Sequence, residues 1–219
     1  MENNTVMRSM IVDFLHCDTG GKQGFYLMGM GFTSLDENPN AQAEQRAYIN
    51  DRSVSSIIRG YETQFPFATD LIQSEPPIMK ILDIGRNQRR GSAAEAEYVR
   101  TEAFLSTGIA DVHPARKFRV SIEVTNTTGE GAQLVECSGN LNQVGDFTPG
   151  AFSIATRTFY PGTVDDNGVL TVTVEGQTVK LRNSLFVECV SGAGGLGFGS
   201  FGAAADAAKD DGKDKDKGK

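Results

Sequence analysis

MGMGFTSLDENPNAQAEQRAYINDRSVSSIIRGYETQFPFATDLI, residues 28–72, is the stretch on which the fold turns. A strand-like run over residues 25–33 leads into it and a second, over residues 61–70, closes it. In the second run Phe65 and Phe67 share a face by the two-residue period of a strand. Between the two lie residues 34–60, polar, charged and poor in branched apolar side chains. Connections between strands usually run about 4–6 residues, and those beyond about 12–15 are either disordered or put to use. This one carries Tyr48, Ile49, Val54, Ile57 and Ile58 among its charges, more apolar surface than a solvated spacer needs. The expectation is a long inter-strand loop that serves assembly. Tyr48 and Ile49 would be its anchors, Ile57 and Ile58 further apolar contacts, and Asp51 and Arg52 rim charges.

Working outward, residues 10–15 read as a first strand, and residues 17–23, with Gly20 and Gly21, as a turn. On the other side Ser74 is placed to cap a helix, Glu75 suits its positive end, and Pro76 and Pro77 suit a first turn whose donors have no partner anyway. Ile78, Ile81, Leu82 and Gly85 then fall on one face. The spacing predicts one short helix over residues 75–87, its apolar face narrow enough to need a sheet beneath it. Arg86, Arg89 and Arg90 follow as a basic loop, read as a solvated turn in preference to a contact for an acidic neighbour or phosphate.

Residues 95–105 alternate again, 106–115 read as a loop, and 118–124 form a strand that turns at NTTGEG into another over 133–142. GDFTPG (145–150) breaks the chain before a strand at 153–160, and Pro161-Gly162 breaks it again. Further strands are expected at 169–174, 178–181 and 184–190. The total is nine or ten strands and one helix. Residues 192–202, GAGGLGFGSFG, are flexible by composition, and 209–219 are a low-complexity Lys/Asp tail. The expected organisation is one β domain, residues 1–191, with a flexible extension, 192–219.

A chain of 219 residues is long enough for one such domain with a sizeable core. The net charge is −7 with no basic stripe, which argues against a protein that grips nucleic acid through its phosphates, though not against one that encloses DNA without holding it. From Asp206 onward five lysines balance five aspartates, so the charge sits in residues 1–205. Cys17, Cys137 and Cys189 are odd in number, with no C-x-x-C and no histidine at zinc-ligand spacing. Cys137 and Cys189 keep strand phase with their apolar neighbours and read as small buried hydrophobes of a protein folded in a reducing compartment. The N-terminal residues lack the pattern of a signal peptide, and no run approaches the ~20 apolar residues of a membrane span, so a soluble, cytoplasmically made protein is expected.

Catalytic raw material is thin. His113 precedes Pro114 in a loop, and His16 and Cys17, strand neighbours, would point to opposite faces. Residues 192–197 match G-x-G-x-x-G after an expected strand, but too little chain follows for the βαβ unit and second-strand acid of a dinucleotide site. DKDKG (214–218) resembles part of a calcium loop with its glycine misplaced and its closing glutamate missing. No enzyme activity, cofactor or metal is expected.

GFTSLDENPN (31–40), AYINDRS (47–53) and DLI (70–72) before a short helix together resemble the major tail tube proteins of long-tailed, siphovirus-type bacteriophages. The resemblance covers roughly residues 24–161. It implies a mainly β, α+β fold, a β-sandwich or distorted barrel with one flanking helix and a long inter-strand loop. It further implies head-to-tail association into rings, hexameric in the family, stacked into a hollow tube through which the genome leaves the virion. The implied partners are copies of the chain itself, other phage tail proteins, and double-stranded DNA passing through the lumen without specific binding. The implied location is the virion tail, by way of the host cytoplasm during assembly. Two alternatives stand beside it: an inner-tube protein of a contractile or cellular injection apparatus, and a monomeric β-sandwich binding module, for instance for carbohydrate.

Overall fold

The computed structural model describes residues 5–47, 49, 53–131 and 133–182. Among them thirteen strands and one α-helix follow in the order β1 (Ile11–Thr19), β2 (Lys22–Leu27), β3 (Phe32–Leu35), β4 (Ala41–Arg46), β5 (Ser55–Tyr61), β6 (Gln64–Asp70), α1 (Pro76–Arg86), β7 (Glu95–Glu102), β8 (Val112–Thr128), β9 (Glu136–Gln143), β10 (Thr148–Ser153), β11 (Thr158–Val164), β12 (Val169–Val174) and β13 (Gln177–Arg182). The strand expected at 184–190, Cys189 and the extension from residue 192 lie outside the described residues.

Every strand pair is antiparallel, and the architecture follows from the length of β8. One edge of β8 pairs with β7 over residues 115–121; the other pairs first with β10, over 112–117, and then with β9, over 120–128. The sheet therefore branches. One branch runs β2-β1-β7-β8-β10-β11-β12-β13, and the other, β9-β6-β3, lies back across the first. Phe65 on β6 meets Tyr98 on β7 at 4.7 Å and Phe118 on β8 at 5.0 Å between ring centroids, contacts across a sandwich and not along a ladder. The expected class is what the structure shows: mainly β, a sandwich with one helix and, among the described residues, no closed barrel.

The central strand β7 is covered on both faces. Tyr98 and Arg100 point into the sandwich while Val99 and Thr101 point the other way, and all four are buried. On that other face Phe14, Val99, Ala115 and Phe152 pack beneath the half-buried Phe25 and Phe159. A third cluster, Val112, Ala151, Leu170, Val172, Val174 and Leu181, forms where β12 and β13 fold onto β8 and β10. Helix α1 buries Ile78, Ile81, Leu82 and also Ile84. Its N-cap is Glu75 and makes no side-chain cap hydrogen bond, so Ser74 does not cap it. Gly85 sits where α1 meets β8, with space for a Cβ only 2.9–3.1 Å from Val124, which explains a glycine inside a helix at a cost of about 1 kcal/mol.

Several expected boundaries move. Cys17 lies within β1, the reversal being confined to Gly20 and Gly21. The run over 25–33 is two strands, broken at Gly31, whose φ is +87°. The strand expected at 153–160 is the hairpin β10–β11, turning at 154–157. The loop expected at 106–115 already contains the start of β8. Pro114, Pro149 and Pro161, read as breaks, lie inside β8, β10 and β11. Each sits one residue beyond the end of one neighbour's ladder: β7 pairs from Ala115, β11 from Gly150 and β12 from Gly162. A missing donor is tolerated where one side has no partner.

Gly139 on β9 faces Val124 on β8 and Phe67 on β6, beside a bulge in β8 between Val124 and Asn126. A Cβ there would overlap the Glu123 carbonyl and come within 3.0 Å of the Phe67 ring. Gly139→Ala is expected to lower the urea midpoint by the equivalent of about 1–3 kcal/mol, the usual cost of overpacking; an unchanged midpoint would show that β8 and β9 separate freely at the bulge.

Candidate assembly site

The polar connection between the two phenylalanine-bearing runs is a ribbon. β4 and β5 pair with each other as a two-stranded sheet of their own, six paired positions long or about 20 Å, and the isolated bridge Asn38↔Gln64 links this sheet to β3 and β6. The β3–β6 and β4–β5 pairings are thus successive parts of one antiparallel run, of which the β3–β6 part is built into the sandwich. Ser34 and Leu35, placed in the loop by the sequence, belong to β3, and Leu35 is buried in the core.

Register decides what the ribbon presents. The pairs run Ala41↔Tyr61, Gln42↔Gly60, Ala43↔Ile58, Glu44↔Ile57, with Arg59 bulged out between Gly60 and Ile58. Residues directly opposite share a face, and a bulge shifts the phase by one. Ile58 and Tyr61, three apart in sequence and so on opposite faces of a regular strand, are thereby brought to one side with Ala41 and Ala43. Ile57 faces the other side beside Glu44, which pairs with both Arg46 and Arg59. Ile58 is 56% exposed and Tyr61 62%. Of the residues singled out by sequence, Ile57 and Ile58 therefore lie on opposite faces, and Ile49 stands fully exposed at the turn. Tyr48, Asp51 and Arg52 lie outside the described residues. Tyr61 and the two alanines were missed because the bulge breaks the two-residue period.

The ribbon's root is clamped by charge. Glu37, one residue before the bridge, takes both forks of Arg116, at 2.6 and 2.8 Å, and the Arg100 guanidinium at 3.2 Å. Arg100 also donates to the Leu35 carbonyl at 3.1 Å, and its Nε lies 3.1 Å from Asp13 Oδ1 as an ion pair without hydrogen-bond alignment. Asp13 in turn accepts from Tyr98 Oη and from Arg8, each at 2.5 Å, and Arg8 donates to Leu35 as well. Asp13 and Arg100 are 2% and 3% exposed. Burial works to raise the Glu37 carboxyl, but hydrogen bonds and charge from Arg116, with those from Arg100, outweigh it and hold the group below the ordinary glutamate range. Glu102, 3.7 Å from Arg116, shows the opposite balance: burial raises it.

The remaining candidates separate. Arg86, the last residue of α1, and Arg89 and Arg90 beyond it are exposed, with Arg89 held by Asp83 at 2.7 Å. Cys17 is buried in the core, where burial pushes its thiol up to about 11 against the pull of Lys80, far from a reactive thiolate. His16 stacks edge-on to Phe25 at 5.3 Å. A shallow hollow nearby is lined by His16, Phe25, Lys117, Arg157 and Phe159, but its Lys117 already pairs with Glu97 at 3.0 Å and lies over the Phe159 ring. Among the described residues no group of His, Cys, Asp and Glu could hold a metal, and no helix is long and apolar enough to cross a membrane.

No family model matches this chain, and neither does any curated protein. Among solved structures, a chain of the six-fold symmetrised cryo-EM structure of the anti-feeding prophage baseplate is similar at a TM-score of 0.42 and 8% identity, over 70% of this chain and 99% of that one.

Glu37→Gln leaves two guanidiniums facing an amide, with an expected loss of about 1–3 kcal/mol at pH 7 by urea unfolding. Because the folded pKa of Glu37 is depressed, its contribution is complete above the ordinary value near 4.5 and is lost as pH falls through the lower folded value. The gap between wild type and variant should therefore close below about pH 4.5. Glu102, with a raised folded value, contributes with the other sign and recovers stability over its own range as it protonates.

Proposed function

We propose that this protein is a non-enzymatic structural component of a phage-tail-type assembly, joining copies of itself into stacked rings around a hollow tube. The observation that carries the reading is the ribbon: a two-stranded sheet whose Ala41, Ala43, Ile58 and Tyr61 face is open to water while its root is held by the half-buried Arg116–Glu37 pair and the buried Arg100–Asp13 pair. An isolated hairpin is marginal in water, and an apolar face held out stiffly from the body is an interaction surface. The sequence phrases that resemble tail tube proteins support this by where they fall. GFTSLDENPN spans β3, Glu37 and the bridge at Asn38, and AYINDRS falls in sequence between β4 and β5. Self-association through a projecting element and a separate receiving surface is heterologous, and so builds closed rings or open stacks.

A body of net charge −7 suits the passage of DNA. Each basic contact to phosphate would release counterions and bind, and such contacts repeated along a tube would sum to arrest, whereas repulsion is screened within about 8 Å. In this reading the wall of the channel is predominantly Asp and Glu, and the partners are copies of the chain, other tail proteins and DNA that slides without being held.

The test replaces residues 41–61 by a short Gly-containing turn, leaving Leu35 and Glu37 in place. The expected product is a soluble monomer with near-normal melting that forms no rings or tubes by negative-stain microscopy under conditions where the full chain does. Tubes from the shortened chain would remove the ribbon from the assembly.

A further inference from the structure

Six successive strands of the longer branch, β2-β1-β7-β8-β10-β11, each contribute to one hollow of about 420 Å3, a volume typical of small-ligand sites. It opens on the face of β7 turned away from β6, above the cluster of Phe14, Val99, Ala115 and Phe152, and so does not depend on the ribbon. The curl of the sheet brings its two ends together there. Phe25 comes from β2 and Phe159 from β11, and Arg157, in the β10–β11 turn, reaches over the Tyr26 ring of β2 at 5.7 Å.

Both phenylalanine rings are held in place. Phe25 has the His16 ring edge-on at 5.3 Å and meets Phe152 edge-on at 5.6 Å. Phe159 lies against β10 at Gly150, where a Cβ would come within 2.6 Å of the ring. Lys117 and Glu97, paired at 3.0 Å and both partly open to water, set an ammonium donor and a carboxylate acceptor side by side in the same hollow. Arg157 differs from them: it is exposed and forms no ion pair among the described residues. Its φ is +55°, a left-handed conformation that glycine adopts freely and arginine does not. Strained positions of this kind concentrate at binding and active sites.

We infer that this hollow binds the uronate residue of an acidic saccharide. The Phe25 and Phe159 rings take the C–H face of the sugar, and the Lys117–Glu97 pair exchanges hydrogen bonds with its hydroxyls. The planar fork of Arg157, the cation with no acid of its own, takes the carboxylate. The lining itself selects this class. A lipid chain would leave Lys117 and Glu97 facing hydrocarbon, and a bare phosphate would make no use of the two rings.

Isothermal titration calorimetry of the full chain with D-glucuronate, D-glucose and acetate reads the parts of the site separately. Glucuronate is expected to bind about tenfold more tightly than glucose, through the charge-assisted bonds to Arg157, and acetate to give no measurable heat. Arg157→Gly relieves the left-handed backbone, so it is expected to melt no lower than wild type while its glucuronate affinity falls to that for glucose. Arg157→Gln is expected to lose the same preference with the turn's strain retained. Phe159→Leu, which keeps the bulk and removes the ring, is expected to weaken both sugars alike, with circular dichroism confirming its fold. The inference is overturned by a wild type that gives no heat with glucuronate, by equal affinities for glucose and glucuronate, or by acetate binding as tightly as glucuronate. It is equally overturned if the Arg157 variants keep the wild-type preference.

Discussion

The guanidinium of Arg100 is the point from which the ribbon takes its direction. It lies almost fully buried on a strand covered on both faces, between Asp13 and Glu37, with the Leu35 carbonyl on a third donor. Burying ions is costly, and a well-packed apolar substitute for such a pair is often as stable or more so. What an apolar contact does not supply is angle. A planar fork binds a carboxylate in one orientation, and the fork of Arg116, with a third bond from Arg100, fixes Glu37 just where the chain leaves the core. The ion pairs thus specify geometry more than they add stability, and Arg8, reaching both Asp13 and Leu35, extends the same clamp to the N-terminal segment.

Local signals in the sequence were legible where one face of an element decides it. Phe65 and Phe67 alternate into the core, the proline pair opens α1, and NTTGEG turns β8 into β9. The ribbon was not legible as structure, because AQAEQR in β4 has no β-branched residue and is held as a strand only by pairing with β5. Its apolar face was hidden for a different reason, the bulge at Arg59, which a period count cannot anticipate. The clamp was hidden by distance along the chain: Glu37 finds Arg100 63 residues on and Arg116 79 residues on, and Asp13 finds Tyr98 at a separation of 85. Prolines misled because they mark the ends of a neighbour's ladder, not of the strand they occupy.

The branching of the sheet at β8 removes the usual independence of a sandwich's layers. In a sandwich of two separate sheets, side chains alone hold the faces together. Here the backbone of one strand belongs to both, so the layers share hydrogen bonds as well as a core, and opening one disturbs the pairing of the other.

Strand β6 also has a mechanical consequence. It continues the ribbon's β5 on one side and ends beside Gly31, Leu71 and Val135 on the other, with β9 paired along all seven of its residues. A pull on the ribbon is directed along the axis of β6, so its bonds to β9 are loaded in shear and must yield together. A peeling force would take them one at a time. The ladder between β6 and β9 is therefore at its strongest against a load along β6.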